Sequence, residues 1–334
     1  MTTIAFFNNK GGVGKTSLVF HLAWKFKELG HNVVAADLDP QANLSSMFLD
    51  EEILEKLWPD KNIHRSILGS ISPIIRGTGD IGDSYVHDIS GNLGLIVGDL
   101  GLSTFEDSLS YNWAQCSDGK EAAFRTISAF FRLLLQASRK RDADLVLIDV
   151  GPNLGAINRA AIIAADYVVV PLGPDLFSLQ GLRNLGPTLK AWRSQWRDRR
   201  RKNPEPELEL PKADIRPLVY IVMQHAVRLD RPVKAYQRWI DRIPDEYRSS
   251  VLDRPEKAVP TVEKDPHCLA QLKHYRSLMP LAMDARKPMF ELKPADGAIG
   301  AHQAAVQRCD QDFTKLAASI LSKIAQSASR FAAE

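Results

Sequence analysis

The residues best suited to chemistry lie in one short loop near the start of the chain, Lys10-Gly11-Gly12-Val13-Gly14-Lys15-Thr16. Its glycines allow successive backbone N–H groups to point inward at an anion, and a following helix would add partial positive charge there. Lys15 would contact the β- and γ-phosphates of a nucleotide, and the Thr16 hydroxyl would ligate Mg²⁺. We therefore expect ATP and Mg²⁺ at a site formed by Gly11, Gly12, Val13, Gly14, Lys15, Thr16 and Ser17.

The loop departs from the usual phosphate-binding pattern, G-x-x-x-x-G-K-[ST], at one position. Asn9 stands where the first glycine belongs, and the loop carries two lysines, Lys10 and Lys15. The alternative is a glycine-rich turn that binds no phosphate. The apolar strand run before the loop and the helical pattern after it favour the phosphate site.

Three aspartates follow predicted strands and could serve the same site. Asp37 and Asp39 come directly after the apolar run 33–36, and alternation places both on one side of an extended chain. Asp149 ends a second buried run, 145–148, as a Walker B aspartate that holds Mg²⁺ through water does. Because ligands bind at the carboxyl edge of open α/β sheets, we expect the three carboxylates there. For Asp37 and Asp39, capping of the next helix remains the alternative.

The elements that must position these residues alternate between strands and helices. Apolar residues recur at three- and four-residue steps over 15–29, 124–139 and 301–331, which predicts helices. Short apolar runs at 4–7, 33–36, 93–97, 145–148, 167–171 and 217–222 predict strands. Strand, glycine loop, helix and strand form a βαβ unit. The predicted fold is α/β, a doubly wound, mostly parallel sheet with helices on both faces.

We expect one domain over residues 1–334, with insertions at 60–92 and 197–260. The first segment is rich in Gly, Ser and Asp, and 203–214 contains three prolines without a helical period. A helix is expected to restart at Gly186-Pro187. There is no 18-residue apolar run, so no transmembrane helix is expected. Three widely spaced cysteines form no C-x-x-C pair, which argues against a structural zinc site or an iron–sulfur cluster and favours a cytoplasmic location.

The lysine-rich loop resembles the deviant Walker A motif of the ParA/MinD group of P-loop ATPases, most closely ParA partition ATPases of the Soj type. Asp37-Leu38-Asp39-Pro40-Gln41 resembles the D-x-D-P-Q signature of ParA proteins, and the stretch 148–155 is similar to the I-D-x-P-P-S-L-G switch. Gly151 replaces the first proline of that switch and Asn153 replaces its serine. How this switch loop would contact the γ-phosphate therefore stays open.

The resemblance implies roles for single residues. Lys10 would reach across a dimer to the partner's nucleotide, where a second cation stabilises transition-state charge. Asp39 would orient or deprotonate the attacking water, and Asp37 would lie near the Mg²⁺ shell with Thr16 and Asp149. The catalytic residues would thus be Lys10, Lys15 and Asp39.

Basic charge is concentrated in one window rather than spread over the chain. The net charge is +3, but 183–202 holds eight basic residues and one acidic residue, +7, which leaves −4 for the remainder. A cationic ridge of this kind would contact DNA phosphates without reading base sequence. A solvated helix end balanced by nearby glutamates is the alternative. The candidate DNA contacts are Arg193, Arg197, Arg199, Arg200, Arg201 and Lys202.

The resemblance implies a homodimer when ATP is bound, non-specific DNA binding at the nucleoid, and a partner protein that stimulates slow hydrolysis. The function would be to position or segregate DNA or another cargo, without contact with a membrane. Two alternatives stay open: a P-loop metabolic ATPase or ligase acting on a small carboxylate, and a ParA-like module of a mobile-element or defence system.

Overall fold

The computed structural model describes residues 1–58, 65–225, 227, 228, 231, 232, 234–273, 275 and 277–332. Ten strands are formed there: β1 (Thr2–Phe6), β2 (Val33–Asp37), β3 (His87–Ser90), β4 (Leu93–Ile96), β5 (Leu145–Asp149), β6 (Tyr167–Leu172), β7 (Arg216–His225), β8 (Val227–Arg228), β9 (Arg231–Pro232) and β10 (Cys268–Lys273). The α-helices of these residues are α1 (Lys15–Glu28), α2 (Asn43–Phe48), α3 (Glu51–Leu57), α4 (Ile67–Ile75), α5 (Glu106–Gln115), α6 (Glu121–Ile127), α7 (Ala129–Arg141), α8 (Ala156–Ile163), α9 (Leu176–Arg200), α10 (Lys234–Ile240), α11 (Ile243–Glu246), α12 (Met279–Ala285) and α13 (Ala301–Ala332).

Eight strands form one sheet in the order β10-β7-β6-β1-β5-β2-β4-β3. All neighbours are parallel except the edge strand β3, which runs antiparallel to β4. The strand order reverses direction around β1, so the loop after β1 lies where ligands bind in doubly wound sheets. The mostly parallel α/β fold predicted from the sequence is confirmed.

Each face of the sheet is covered by helices that bury a separate apolar core. On one face, Ile4 and Phe6 of β1 belong to the same core as residues of α1 and α13. On the other, Ala5 and Phe7 belong to the core that includes residues of α7, α8 and α9. Alternate side chains of β1 thus point to opposite faces, which explains why central strands read as continuous apolar runs.

Two predicted helices differ in detail from the structure. The helix expected over 124–139 is two helices, α6 and α7, separated at Ser128. The expected restart at Gly186-Pro187 is wrong, because α9 continues through Pro187 to Arg200. A β-carbon at position 186 would lie 1.7 Å from the Ser250 carbonyl oxygen. Gly186 is therefore a close-contact site within a helix rather than a helix boundary.

The two segments expected to be insertions contain regular structure. The segment 60–92 includes α4 and the edge strand β3, and 197–260 includes β7 of the central sheet. Residues 60–64 of the first segment and residues 226, 229, 230 and 233 of the second lie outside the described residues. The division of the chain into one domain with insertions stays a prediction.

The long terminal helix α13, predicted over 301–331, packs on the domain. Phe313, Leu316 and Ile320 are at most 3% exposed and belong to the same core as α1. Within the described residues, no helix is long and apolar enough to cross a membrane.

Candidate active site

The loop after β1 has the backbone conformation expected for an anion cradle. Gly12 and Gly14 have φ of 72° and 87°, which side chains with a β-carbon rarely adopt. Gly14 is the N-cap of α1, no side chain caps its first turn, and that turn contains no acidic residue. The N–H groups and positive dipole end of α1 are thus left for an external anion.

Lys15 lies inside the loop and connects it to the carboxylates. Its side chain is 7% exposed, and Nζ donates to the Lys10 carbonyl oxygen at 3.2 Å. Burial lowers the pKa of Lys15, while the nearby charges of Asp149 and Asp39 partly oppose that shift. A phosphate group would stabilise the charged ammonium further.

Asp37 and Asp149 face each other at the ends of neighbouring parallel strands. Their Cα atoms are paired in the register of β2 and β5. Asp37 is fully buried, and its Oδ2 accepts hydrogen bonds from Ser45 N at 2.7 Å and Ser45 Oγ at 2.8 Å. Burial raises the pKa of Asp37 to about 7, against the opposing effect of these hydrogen bonds. This geometry anchors Asp37 to α2 behind the loop.

Asp149 is a buried carboxylate at the end of β5. Both of its oxygens are buried, and neither accepts a hydrogen bond of good geometry within the described part of the chain. Burial and the neighbouring charge of Asp37 raise its pKa well above the ordinary value, although the Thr16 hydroxyl favours the ionised form. Buried polar groups without partners are costly. Thr16 and Asp149 therefore fit Mg²⁺, a hard cation that prefers oxygen ligands.

Asp39 lies against the switch loop. It is 7% exposed, and its Oδ1 accepts a hydrogen bond from Gln41 N at 3.0 Å. A β-carbon at position 151 would lie 3.2 Å from this Oδ1, which is a tight contact. Gly151 occupies the position of the first proline in the I-D-x-P-P-S-L-G switch. Because it has no side chain, it leaves room for the Asp39 carboxylate.

The switch loop is tied to the helix that follows it. The Asn158 side-chain amide donates to the carbonyl oxygens of Gly151 at 2.7 Å and Asn153 at 2.6 Å. Asn153 Oδ1 accepts from Gly155 N at 2.9 Å, so the residue that replaces serine closes a local turn. The loop is held in this arrangement by side-chain amides.

Lys10 leaves the phosphate cradle and pairs with an aspartate of the same chain. Its Nζ lies 2.5 Å from Asp175 Oδ2 and 5.9 Å from the centre of the Phe177 ring. Asp175 is also the N-cap of α9, because its Oδ1 accepts from Ser178 N at 3.0 Å. Phe177 is 71% exposed beside this pair. The ammonium group of Lys10, the first lysine of the loop, is thus partly exposed and ion-paired with Asp175.

The structure brings the predicted nucleotide residues together and adds three that the sequence analysis missed. Asp175 precedes a helix and had a detectable N-cap signal. Ser45 had none, because it lies in α2, eight residues after its partner Asp37 at the end of β2. His21 donates from Nδ1 to the Ser17 carbonyl at 2.6 Å and accepts at Nε2 from Met289 N at 3.1 Å. It joins the nucleotide-loop helix to the C-terminal segment.

The basic ridge is divided between packing and exposed side chains. Arg193 donates to the Ile215 carbonyl oxygen, and Arg199 stacks 4.6 Å from the Trp113 ring centre and donates to the Trp113 carbonyl at 2.8 Å. Both arginines thus make contacts within the chain with part of their donors. The exposed cations of the ridge are Arg197, Arg200, Arg201 and Lys202.

The two tryptophans on the same helix belong to the core. Trp196 is fully buried, and its Nε1 donates to the Pro211 carbonyl at 2.9 Å, while Trp192 is 7% exposed. Their step of four residues therefore marks the packed face of α9, which leaves the cations on the opposite face for solvent or a ligand.

Comparison with known proteins gives one family and several partition proteins. The family model described as AAA domain matches residues 1–201. Protein IncC of Escherichia coli is 32% identical over 189 residues, 57% of this chain and 46% of IncC. The chromosome-partitioning ATPase Soj of Thermus thermophilus is 30% identical over 192 residues, 57% of this chain and 62% of Soj. The chain therefore matches less than two thirds of either relative's length.

A solved structure shares the fold over nearly the whole chain. A putative plasmid partition protein of Borrelia burgdorferi, bound to AMPPNP, superposes with a TM-score of 0.58, 17% identity and coverage of 98% of this chain and 99% of that one. At this identity the comparison supports the fold alone.

Proposed function

The chain belongs to the AAA domain family, with ParA-type partition ATPases among its relatives, and from that premise we propose that it is an ATP-driven switch. In this proposal ATP and Mg²⁺ join two copies face to face, and hydrolysis separates them. The observation that carries the proposal is the joint placement of the uncapped N-terminus of α1, buried Lys15 and the unsatisfied Asp149.

Different residues of this chain would have different roles in hydrolysis. Backbone N–H groups of 11–16 and the Lys15 ammonium would hold the phosphate chain, and bound Mg²⁺ would neutralise charge on its oxygens. Asp39, beside the switch loop, would accept a hydrogen bond from the attacking water and orient it. Lys10, once it leaves Asp175, would contribute a cation to the partner's site.

Nucleotide binding is tested with Lys15→Ala. Removal of this ammonium eliminates charge-assisted contacts of about 1.5–3 kcal/mol each, so we expect ATP to bind about 100-fold more weakly. The measurement is calorimetric titration with Mg²⁺ and a non-hydrolysable ATP analogue, and Lys56→Ala, at an exposed position of α3, is the control. Unchanged affinity of Lys15→Ala would disprove the phosphate site.

Hydrolysis and dimerisation are tested with Asp39→Ala. We expect this variant to retain ATP binding, to lose turnover, and to accumulate as an ATP-bound dimer in light scattering. Asp50→Ala, at the N-cap of α3, controls for removal of an aspartate that accepts a backbone hydrogen bond, as Asp39 does from Gln41 N. Normal turnover in Asp39→Ala would reassign the water-orienting role.

Non-specific DNA binding is the further part of this proposal, supported by the exposed side of the ridge. Arg200→Glu with Arg201→Glu should weaken retention on duplex DNA and reduce the salt slope by about 2, because each phosphate contact contributes about 0.9. Lys212→Glu with Lys264→Glu, two exposed lysines elsewhere, is the charge-matched control. Equal DNA retention in both double variants would place the contact on another face.

A further inference from the structure

A basic cavity lies at the amino ends of the parallel strands, whereas the phosphate loop lies at their carboxyl ends. It has a volume of about 500 Å³ and lies between the second half of α9, the start of β7 and the end of α13. Arg216 is the first residue of β7, whereas the phosphate loop follows the last residue of parallel β1. The cavity is therefore separated from the candidate active site by the length of the strands.

The charge lining this basic cavity is strongly unbalanced. Four cationic side chains and one carboxylate face it, together with an imidazole. The carboxylate, Glu256, already pairs with Arg248 at 3.2 Å. The charged and titratable lining residues are Arg193, Arg216, Arg254, Lys323, His267 and Glu256.

Arg193 has donor capacity that the protein does not use. One of its Nη atoms donates to the Ile215 carbonyl, but its Nε is buried without a partner among the described residues. Burial lowers the pKa of Arg193, as do the nearby charges of Arg197 and Arg216, and Asp214 opposes the shift. Asp214 itself pairs with Arg216 at 2.8 Å. An anion in the cavity would satisfy the donor and relieve the repulsion between like charges.

The rest of the lining suits a small ligand rather than a polymer. Pro217, Leu218, Val251 and Leu252 form an apolar surface beside the cations. Burial lowers the pKa of His267, so at neutral pH it offers a neutral ring that can donate or accept. Pockets that combine an apolar wall with a few convergent polar groups typically bind small molecules. Duplex DNA, by contrast, binds to extended cationic surfaces, which contact successive phosphates along its backbone.

We propose that this basic cavity is a second anion site, which binds a small, multiply charged phosphate ligand with room for an attached ring. Guanidinium groups form forked hydrogen bonds that match phosphate oxygens, and the lining provides three of them. The site does not depend on ATP binding at the phosphate loop. The proposed ligand is a free small molecule, and contact with DNA phosphates is an outcome that the experiment distinguishes.

The probe is inorganic pyrophosphate, titrated calorimetrically without Mg²⁺ into the full chain carrying Lys15→Ala, which weakens binding at the phosphate loop. Arg254→Gln with Lys323→Gln should weaken pyrophosphate binding about 100-fold, because two charge-assisted contacts are lost and each costs roughly a factor of ten. Arg200→Gln with Arg201→Gln, which removes two cations outside the cavity, should leave it unchanged. The melting temperature of the Lys15→Ala chain should also rise with pyrophosphate, and it should rise less in Lys15→Ala combined with Arg254→Gln and Lys323→Gln.

Three results would overturn the proposal. The first is absence of pyrophosphate binding at millimolar concentration, and the second is an equal effect of both double variants. The third is loss of duplex DNA retention in Arg254→Gln/Lys323→Gln with unchanged pyrophosphate affinity, which would make the cavity a DNA contact. None of these results bears on ATP turnover, which is measured in the same variants without Lys15→Ala and should remain normal.

Discussion

The ion pair between Lys10 and Asp175 opposes dimerisation if Lys10 must reach the partner's nucleotide. Asp175→Asn removes the negative charge but keeps an N-cap residue, since asparagine caps helices as well as aspartate. The two side chains are 31% and 29% exposed, so the pair contributes about 0.5–1 kcal/mol, near the upper range for partly solvated pairs. A dimer breaks two such pairs. The variant should therefore dimerise with a Kd about 5- to 30-fold lower.

The assay is sedimentation velocity of the wild-type chain and Asp175→Asn with Mg²⁺ and a non-hydrolysable ATP analogue. The difference in Kd should shrink at high salt, because screening weakens the ion pair. Asp50→Asn is the matched control, since Asp50 caps α3 through Ile53 N at 2.8 Å, as Asp175 caps α9. An Asp175→Asn dimer that is no tighter than wild type, with the control unchanged, would refute the idea that Lys10 is held back.

Three further predictions concern turnover, stability and pH. Gly151→Ala should lower ATP turnover by about tenfold without weakening ATP binding, because its β-carbon would displace the Asp39 carboxylate 3.2 Å away. Gly186→Ala should lower the free energy of unfolding by about 1–3 kcal/mol in urea titrations, since its β-carbon would lie 1.7 Å from the Ser250 carbonyl oxygen. Burial lowers the pKa of His21 to about 4 from 6.5, so the unfolded state binds the proton more tightly. Between pH 6.5 and 4, stability should therefore fall by up to about 3 kcal/mol more than in His21→Gln.

Each of these predictions has a result that contradicts it. Gly91→Ala, at a positive-φ turn with open space around it, is the turnover control, and equal kinetics in both alanine variants would disconnect position 151 from Asp39. Gln180→Ala, at an exposed position of α9, should leave the free energy of unfolding in urea unchanged. An equally small effect of Gly186→Ala would contradict the close contact with Ser250. Parallel stability–pH curves for His21→Gln and wild type would show that His21 is not buried as a neutral ring.

Sequence by itself determined the features that depend on local chemistry. The Lys10–Thr16 loop, the strand before it and the helix after it are adjacent in the chain, so glycine spacing and periodicity suffice to predict them. Asp37 and Asp149 were predicted at the same sheet edge, because parallel strands place their carboxyl ends together. The fold class follows from the same alternation of apolar runs and helical periods.

The tertiary structure alone decided which distant groups meet. Lys10 pairs with Asp175, which is 165 residues away. Gly186 and Pro187 predicted the start of a helix from the sequence. In the structure, Gly186 instead allows the close approach of Ser250, a contact that only the packed structure creates. The sequence predicted Arg193 as a DNA contact like its basic neighbours. In the folded chain its Nε is buried beside a cavity. Periodicity encodes which face of an element is apolar, whereas charge pairing and close approach depend on how elements from distant parts of the chain pack.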